Sequence, residues 1–366
     1  MRLSILRPRL AALVLILLSC PLSATPLPAT PLRVATFNIA WLADRPLPDM
    51  AAVRACEAEA RAYPDLDARP TPSCRQGRFR TAAAYQLLAR HVASLQADLI
   101  AFEEVAGAEA LARVLEPDGR VPSATVQGVR RGADWWWLVN PLPVTGRQRV
   151  ALAVRRELLR ELRVTPVPEL GQPLTREARG GLLARLTFLD GRQLRVLVVH
   201  LKSGCQDFGP SSSSSSTSTP ACRQLAAQLP ILARLLDELE AQGGAILLLG
   251  DFNLRFVASP GQAAPDAASD AASDGAWSLL DNRQPAGARL ERLTAGFTQP
   301  EGCFWPRYGN QPIDHILLAG TLVGRAVPGS LQAHPFRTDT EPRRLRPGAQ
   351  WFLSDHCPLS VLIRLP

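Results

Sequence analysis

The chain has 366 residues, 46% hydrophobic and 20% charged, with a formal net charge of +8. That is an ordinary globular composition, long enough for one large core or two modest ones, and it sets aside a chain too polar to fold. The basic excess permits attraction to a polyanion such as nucleic acid without requiring it.

Arg2, Arg7 and Arg9 form a basic front, and Leu10 to Leu18 is an apolar run too short to span a bilayer comfortably. Ser19 to Ala24 give a small-residue exit, so residues 1–24 read as a secretory signal peptide. An uncleaved anchor is the alternative. A lipid anchor at Cys20 is disfavoured, because Leu18 just before Ser19 fits a lipobox poorly. The expected location is periplasmic or secreted, with no stable membrane span in the mature chain and no protein partner inferred. Removing Cys20 from the seven cysteines leaves six, an even number suited to an oxidising compartment. The local pairs Cys56–Cys74 and Cys205–Cys222 are expected as bridges, and Cys303–Cys357 follows by elimination. Six reduced thiols fit an exported chain less well, and zinc is weaker still because no pair has the close spacing of a zinc knuckle.

Leu32 to Leu42 alternates and is rich in β-formers, which predicts a strand. Residues 43–80 read as a loop with a little helix. Tyr85, Leu88, Val92 and Leu95 recur three or four apart, predicting a helix over 81–96 with Thr81 as its cap. The run LIAFEEV is a strand ending in acid, and 108–116 a short helix. Residues 134–139 and 149–155 look like paired strands. In the first, Trp135 and Trp137 share one face and Trp136 the other, which suits core packing more than base stacking. Residues 181–189 and 193–201 flank Asp190-Gly191, a hairpin signal. Residues 211–219 are a serine-threonine tract, 222–240 a helix, and 245–250 a strand. Residues 258–275, with a duplicated AASD, read as an insertion. Short strands are expected near 301–305 and 313–318, an Arg/Pro-rich loop over 337–349, and a last strand over 358–364. The pattern predicts an α+β layered fold with a large antiparallel component. A single catalytic domain is expected over 25–366, interrupted by low-complexity insertions near 206–221 and 258–275.

Several of these strands end in polar residues that a core rejects: Asn38, Glu103 and Glu104, His200 with Lys202, Asp251 and Asn253, Asp314, and Asp355 with His356. Burying any one of them unpaired costs several kcal/mol, roughly. One shared cleft at the strand ends lets them pair with one another and with a cation. TFNIAWL, DLIAFEEV, VVHLKSG, GDFN, IDHIL and SDHCPL, in this order, resemble the endonuclease/exonuclease/phosphatase superfamily with the DNase I-like fold. The resemblance spans residues 33–366, and GDFN and SDH are its most specific pieces.

The resemblance implies a four-layer α/β/β/α sandwich, a divalent metal and cleavage of a phosphate ester. Asn38 matches the residue that places metal-bound groups and phosphate, and Glu104 and Asp355 match metal ligands. Glu103 stands where the family usually has Gln, which leaves open which of the two acids faces the ion. His200 matches a group that stabilises phosphate oxygens or protonates the leaving group. Asp251 and Asn253 match the pair that positions water and phosphate. Asp314 matches the acid that orients His356, itself the match for the general base. Arg149 stands where many members place a phosphate-contacting arginine; an exposed strand arginine is the plain alternative. Mg²⁺, or Mn²⁺, is the cofactor these oxygen donors suit. Arg149, Lys202, Arg255 and Arg307 are expected to track a nucleic-acid backbone.

The expected activity is an exported metal-dependent phosphodiesterase, foremost a nuclease on DNA. A sphingomyelinase-like phospholipid or inositol-phosphate phosphoesterase, and a non-catalytic binding or toxin-subunit protein on the same fold, are the alternatives. The intact set of strand-end residues argues against the last.

Overall fold

The computed structural model describes residues 30–42, 82–116, 118–125, 128–142, 148–171, 179–205, 219–256, 275–300, 303, 310–336 and 353–366. The signal-peptide reading with Cys20, the Cys56 and Cys74 pair, Thr81, Arg307, the 43–80 and 337–349 loops, the serine tract and all but Cys303 of the strand near 301–305 lie outside them.

One sheet is built from β1 (Leu32–Leu42), β2 (Leu99–Val105), β3 (Arg130–Arg131), β4 (Trp135–Val139), β5 (Arg149–Arg155), β12 (Gln332–Ala333) and β13 (Leu359–Ile363). Its spatial order is β12-β13-β1-β2-β5-β4-β3. The other holds β6 (Leu159–Val167), β7 (Gly181–Phe188), β8 (Gln193–His200), β9 (Ala245–Asp251), β10 (Glu291–Arg292) and β11 (Asp314–Gly320), in the order β10-β11-β9-β8-β7-β6. Helices α1 (Ala82–Ser94) and α2 (Ala108–Leu115) pack on the first sheet, and α3 (Pro220–Ala241) and α4 (Gly275–Leu280) on the second. The layers are α/β/β/α, and Pro31–Pro366 forms one compact unit. Among the described residues no helix is long and apolar enough to cross a membrane.

Each sheet contains one parallel pair, β1 with β2 and β8 with β9, and a parallel pair needs a crossover. The helices α1 and α3 supply those crossovers. Parallel pairing brings the C-terminal ends of β1 and β2 to one edge of their sheet, and those of β8 and β9 to one edge of theirs. β11 runs antiparallel to β9, so its first residue, Asp314, lies opposite Asp251. β13 runs antiparallel to β1, with Leu359 opposite Thr36, so the segment before it arrives at the same edge as Asn38.

The strand pleat then decides what each edge presents. Side chains two apart share a face. Leu32 and Val34 of β1, Leu99 and Ala101 of β2, Leu194, Val196 and Val198 of β8, Leu247 and Leu249 of β9, and Ile316 and Leu318 of β11 all belong to the core between the sheets. Continued at the same spacing, these rows reach Thr36 and Asn38, Glu103, His200, Asp251 and Asp314. The polar strand ends are the last rungs of apolar ladders that fill the sandwich.

The residue before Asp251 is constrained most tightly. Gly250 has φ +143°, and a Cβ there would lie 1.9 Å from the carbonyl oxygen of Val199 on the neighbouring parallel strand. Only glycine lets β9 lie flush against β8 at that point.

The helix expected over 222–240 begins two residues earlier. Thr219 accepts a hydrogen bond from the Cys222 amide at 3.2 Å and Pro220 occupies the first turn, which removes residues 220–221 from the low-complexity insertion. β6 was not anticipated. It is the edge strand of its sheet, where Pro166 costs no ladder bond that a central strand needs. Helix α4, also unanticipated, follows directly on the 258–275 insertion.

Gly250→Ala is expected to destabilise the protein by about 3 kcal/mol or more through strain and overpacking. A urea melt measures this, and a midpoint equal to wild type would contradict the close approach of β8 and β9.

Candidate active site

Asp251, 1% exposed, is the centre of the polar rim. Its Oδ2 accepts from Asn38 Nδ2 at 2.9 Å, a bond from one sheet to the other. Oδ1 accepts from the Asn253 amide at 2.8 Å. His200 Nε2 lies 3.3 Å and His356 Nε2 4.0 Å from Oδ2. Asn253, at φ +52°, turns the chain and donates Nδ2 to the carbonyl oxygen of Leu201 at 3.1 Å. The GDFN segment is therefore a strand end and a tight turn, and both polar side chains are used in shaping it.

His356 Nδ1 donates to Asp314 Oδ2 at 2.7 Å. In the neutral ring this leaves the lone pair on Nε2, which is turned toward Asp251. The segment carrying the ring is anchored by Ser354, whose hydroxyl donates to the Asn38 carbonyl oxygen at 2.6 Å and accepts the His356 amide at 3.0 Å. Cys357, the next residue, is bonded to Cys303. The second described disulfide, Cys205–Cys222, ties the loop after His200 to α3. From the same helix Gln228 accepts the Lys202 amide at 2.9 Å and donates to the Leu170 carbonyl oxygen at 2.6 Å. Both segments that carry a rim imidazole are thus covalently braced.

Strand parity alone does not bring Glu103 and Glu104 to one place, since neighbours point to opposite faces. The structure solves this with an irregularity: Glu104 has φ +62°, and the register of β2 against β5 shifts between Phe102 and Val105. Glu103 faces the inter-sheet side and accepts from Thr36 Oγ1 at 3.0 Å, while its Oε2 is buried without a partner. Glu104 Oε1 lies 3.9 Å from His200 Nε2. Asp355 is close enough to act electrostatically on Glu104, Asp314 and His356.

Electrostatics at the rim is dominated by buried acids. Burial, with Asp314 and Asp251 adding, holds the Glu103 carboxyl well above the ordinary range. Burial pushes Glu104 to about 7, with Arg179 opposing and Asp355 and Asp251 assisting. Burial disfavours an ionised Asp251 too, but His200, His356 and Asn38 more than offset it and its pKa falls. Burial and the nearby Arg179 lower His200 to about 4, so its ring is neutral at pH 7. For His356 burial works against the charged ring, yet Asp314, Asp355 and Asp251 reverse this and hold its pKa well above 6.5.

Among the described residues, Glu103 Oε2 and Asp314 Oδ1 are buried at the rim without hydrogen-bond partners. Ligand atoms of Asp251, Asp314 and His356 lie within 4.8 Å of one another. This donor set, mostly oxygen, fits a hard divalent cation. Among the described residues, that group has donor atoms close enough together to hold an ion, with Glu104 and Asp355 beside it.

Arg179 was not anticipated. Its Nη1 contacts His200 Nε2 and donates to the Leu201 carbonyl oxygen at 2.9 Å, and Nη2 reaches Ser203 Oγ at 3.3 Å. It lies outside every strand-end motif; its one sequence signal is an Arg-Gly-Gly turn just before the alternating run of β7. Arg149 sits opposite Val105 at the rim with Nη1 bonded to the Ala106 carbonyl oxygen. The tryptophans divide as their spacing indicates: Trp135 and Trp137 are buried on the helix side and Trp136 packs against the inter-sheet core. Each carries an arginine over its ring, Arg155, Arg130 and Arg131 respectively.

The family model described as Endonuclease/Exonuclease/phosphatase family matches residues 35–356. Among curated proteins, none matches. Solved structures similar to the chain include TDP2 from C. elegans, with a TM-score of 0.50 and 13% identity over 93% of this chain and 76% of that one. Humanized D. rerio TDP2 carrying 14 mutations is similar at a TM-score of 0.49 and 14% identity, covering 91% and 98%. AP endonuclease LMAP from Leishmania major is similar at 0.47 and 13%, covering 92% and 89%. At such identity the likeness to C. elegans TDP2 concerns the fold alone. The chain belongs to the endonuclease/exonuclease/phosphatase family, and is a metal-dependent phosphoric ester hydrolase.

Asp314→Asn is expected to lower the His356 pKa in metal-free protein, because the largest influence holding the proton is removed. Imidazole ¹⁵N shifts titrated in EDTA measure it. An unmoved titration would show that Asp314 does not govern that ring.

Proposed function

We propose that this member of the family is an exported, Mg²⁺-dependent nuclease that hydrolyses phosphodiester bonds in DNA. The observation that carries the reading is the convergence on Asp251 of Asn38, His200 and His356, drawn from both sheets. Around it stand the acids suited to a divalent ion and the basic group Arg179. A positive net charge supports a polyanionic substrate, and the two disulfides suit a periplasmic or secreted enzyme.

The chemistry follows from the placement of the groups. A phosphodiester repels an anionic nucleophile, and negative charge grows on its oxygens in the transition state. Glu104 and Asp355 would hold a divalent ion, which would supply neutralisation of that charge. Arg179 offers a planar fork of donors to the phosphoryl oxygens beside the neutral His200 ring. Asn38 and Asn253 fix the Asp251 carboxylate, which accepts a hydrogen bond from the attacking water. His356, its Nδ1–H held by Asp314, takes the water proton on Nε2. The new P–O bond forms as the bond to the leaving oxygen breaks; that oxygen takes a proton from solvent water to give an alcohol beside the phosphomonoester, and the proton on His356 returns to solvent. Only the unprotonated His356 ring serves as base. Activity therefore rises with pH through the working pKa of His356 and is lost below it.

His356→Ala is expected to lower turnover by roughly 10²–10⁴-fold with the fold retained. Plasmid DNA, RNA, sphingomyelin and an inositol phosphate, each offered with Mg²⁺ and with EDTA, separate the substrates. Nicking of plasmid that EDTA abolishes is the expected result. Phosphocholine release without nicking would replace the nuclease by a phospholipase-type enzyme.

A further inference from the structure

Asn140 follows β4 and has no place in the chemistry above, yet it is buried to 1% exposure at the rim. It continues the inter-sheet row of Leu138, where a leucine would extend the apolar core. A buried amide costs free energy unless its groups are bonded, and both ends of this one are. Nδ2 donates to the Gly181 carbonyl oxygen at 3.0 Å, crossing from the first sheet to the second. Oδ1 accepts the Leu142 amide at 3.2 Å, closing a turn that lays Leu142 over Gly180.

Gly180 and Gly181 are the two residues after Arg179. Gly180 has φ +57°, and a Cβ on it would lie 2.7 Å from Leu142 Cδ1 and 3.4 Å from Asn140 Nδ2. The turn that launches Arg179 is therefore closed on one side by Asn140 and its own loop. On the other side the guanidinium is docked on His200, Leu201 and Ser203.

We infer that Asn140 is a positioning residue: it holds the Arg179-Gly180-Gly181 turn against the opposite sheet and thereby sets the guanidinium beside His200. The inference rests on the reading of Arg179 as the group that meets the phosphoryl oxygens. It assigns a functional reason to a buried amide that packing alone would replace by a hydrocarbon.

A double-mutant cycle on the full chain tests it, with Mg²⁺ and the chromogenic diester bis(4-nitrophenyl) phosphate. Arg179→Met is expected to lower kcat/KM by about 10²-fold, as the loss of one transition-state donor does. Asn140→Ala is expected to lower it by about 10-fold through misplacement. In the Arg179→Met background, Asn140→Ala is expected to cost less than about 2-fold, because its target is gone. Asn140→Asp keeps the acceptor for Leu142 and loses the donor to Gly181; it is expected to repeat the alanine result, and serves if the alanine variant fails to fold. Full additivity of the two losses, or wild-type activity in both Asn140 variants, would overturn the positioning role. Undiminished activity in Arg179→Met would instead overturn the reading of Arg179 itself.

Discussion

The hydrogen bond from Asn38 to Asp251 spans the two sheets at the point where their apolar filling stops. Everything at the rim is arranged around it. Asn38 is fixed from behind by Ser354, and Asp251 is shared among Asn38, Asn253, His200 and His356. A carboxylate buried this deeply is tolerated only because donors surround it. The same donors aim it and hold the carboxylate in one place.

Glu103, Glu104, Asp314 and Asp355 sit close together with few cations of the chain's own among them. Burial and mutual repulsion raise the first three, and the imbalance is expressed in a proton retained by His356. The raised pKa of His356 reflects the carboxylates of Asp314, Asp355 and Asp251 gathered around it. The Cys303–Cys357 disulfide braces the segment that carries Asp355 and His356.

Much of this architecture was legible in the amino-acid order. β1 and β5 run where alternation and β-branched residues place them, and Asp190-Gly191 makes the hairpin between β7 and β8. The polar strand ends were legible as anomalies, since residues such as Asp251 and His200 have no business ending a run of leucines and valines. What could not be read was direction. Whether Glu103 or Glu104 faces the cleft depends on a backbone irregularity at Glu104 that no local propensity reports. Arg179 and Asn140 escaped because their partners are not local: Arg179 meets the end of the neighbouring strand β8 and Asn140 reaches the opposite sheet, and a lone arginine or asparagine in a turn carries no pattern. β6 escaped because Pro166 argues against a strand unless its edge position is known.

The pairing of β13 with β1 joins chain segments separated by nearly the whole molecule, and His356 rides on the approach to that last strand. Closing so long a loop is entropically costly and slow relative to local helix or hairpin formation. The placement of His356 beside Asp251 and Asp314 therefore depends on closing that loop. A chain whose β13 is not paired with β1 holds Asn38 and Glu104 but lacks the anchored His356 segment beside them.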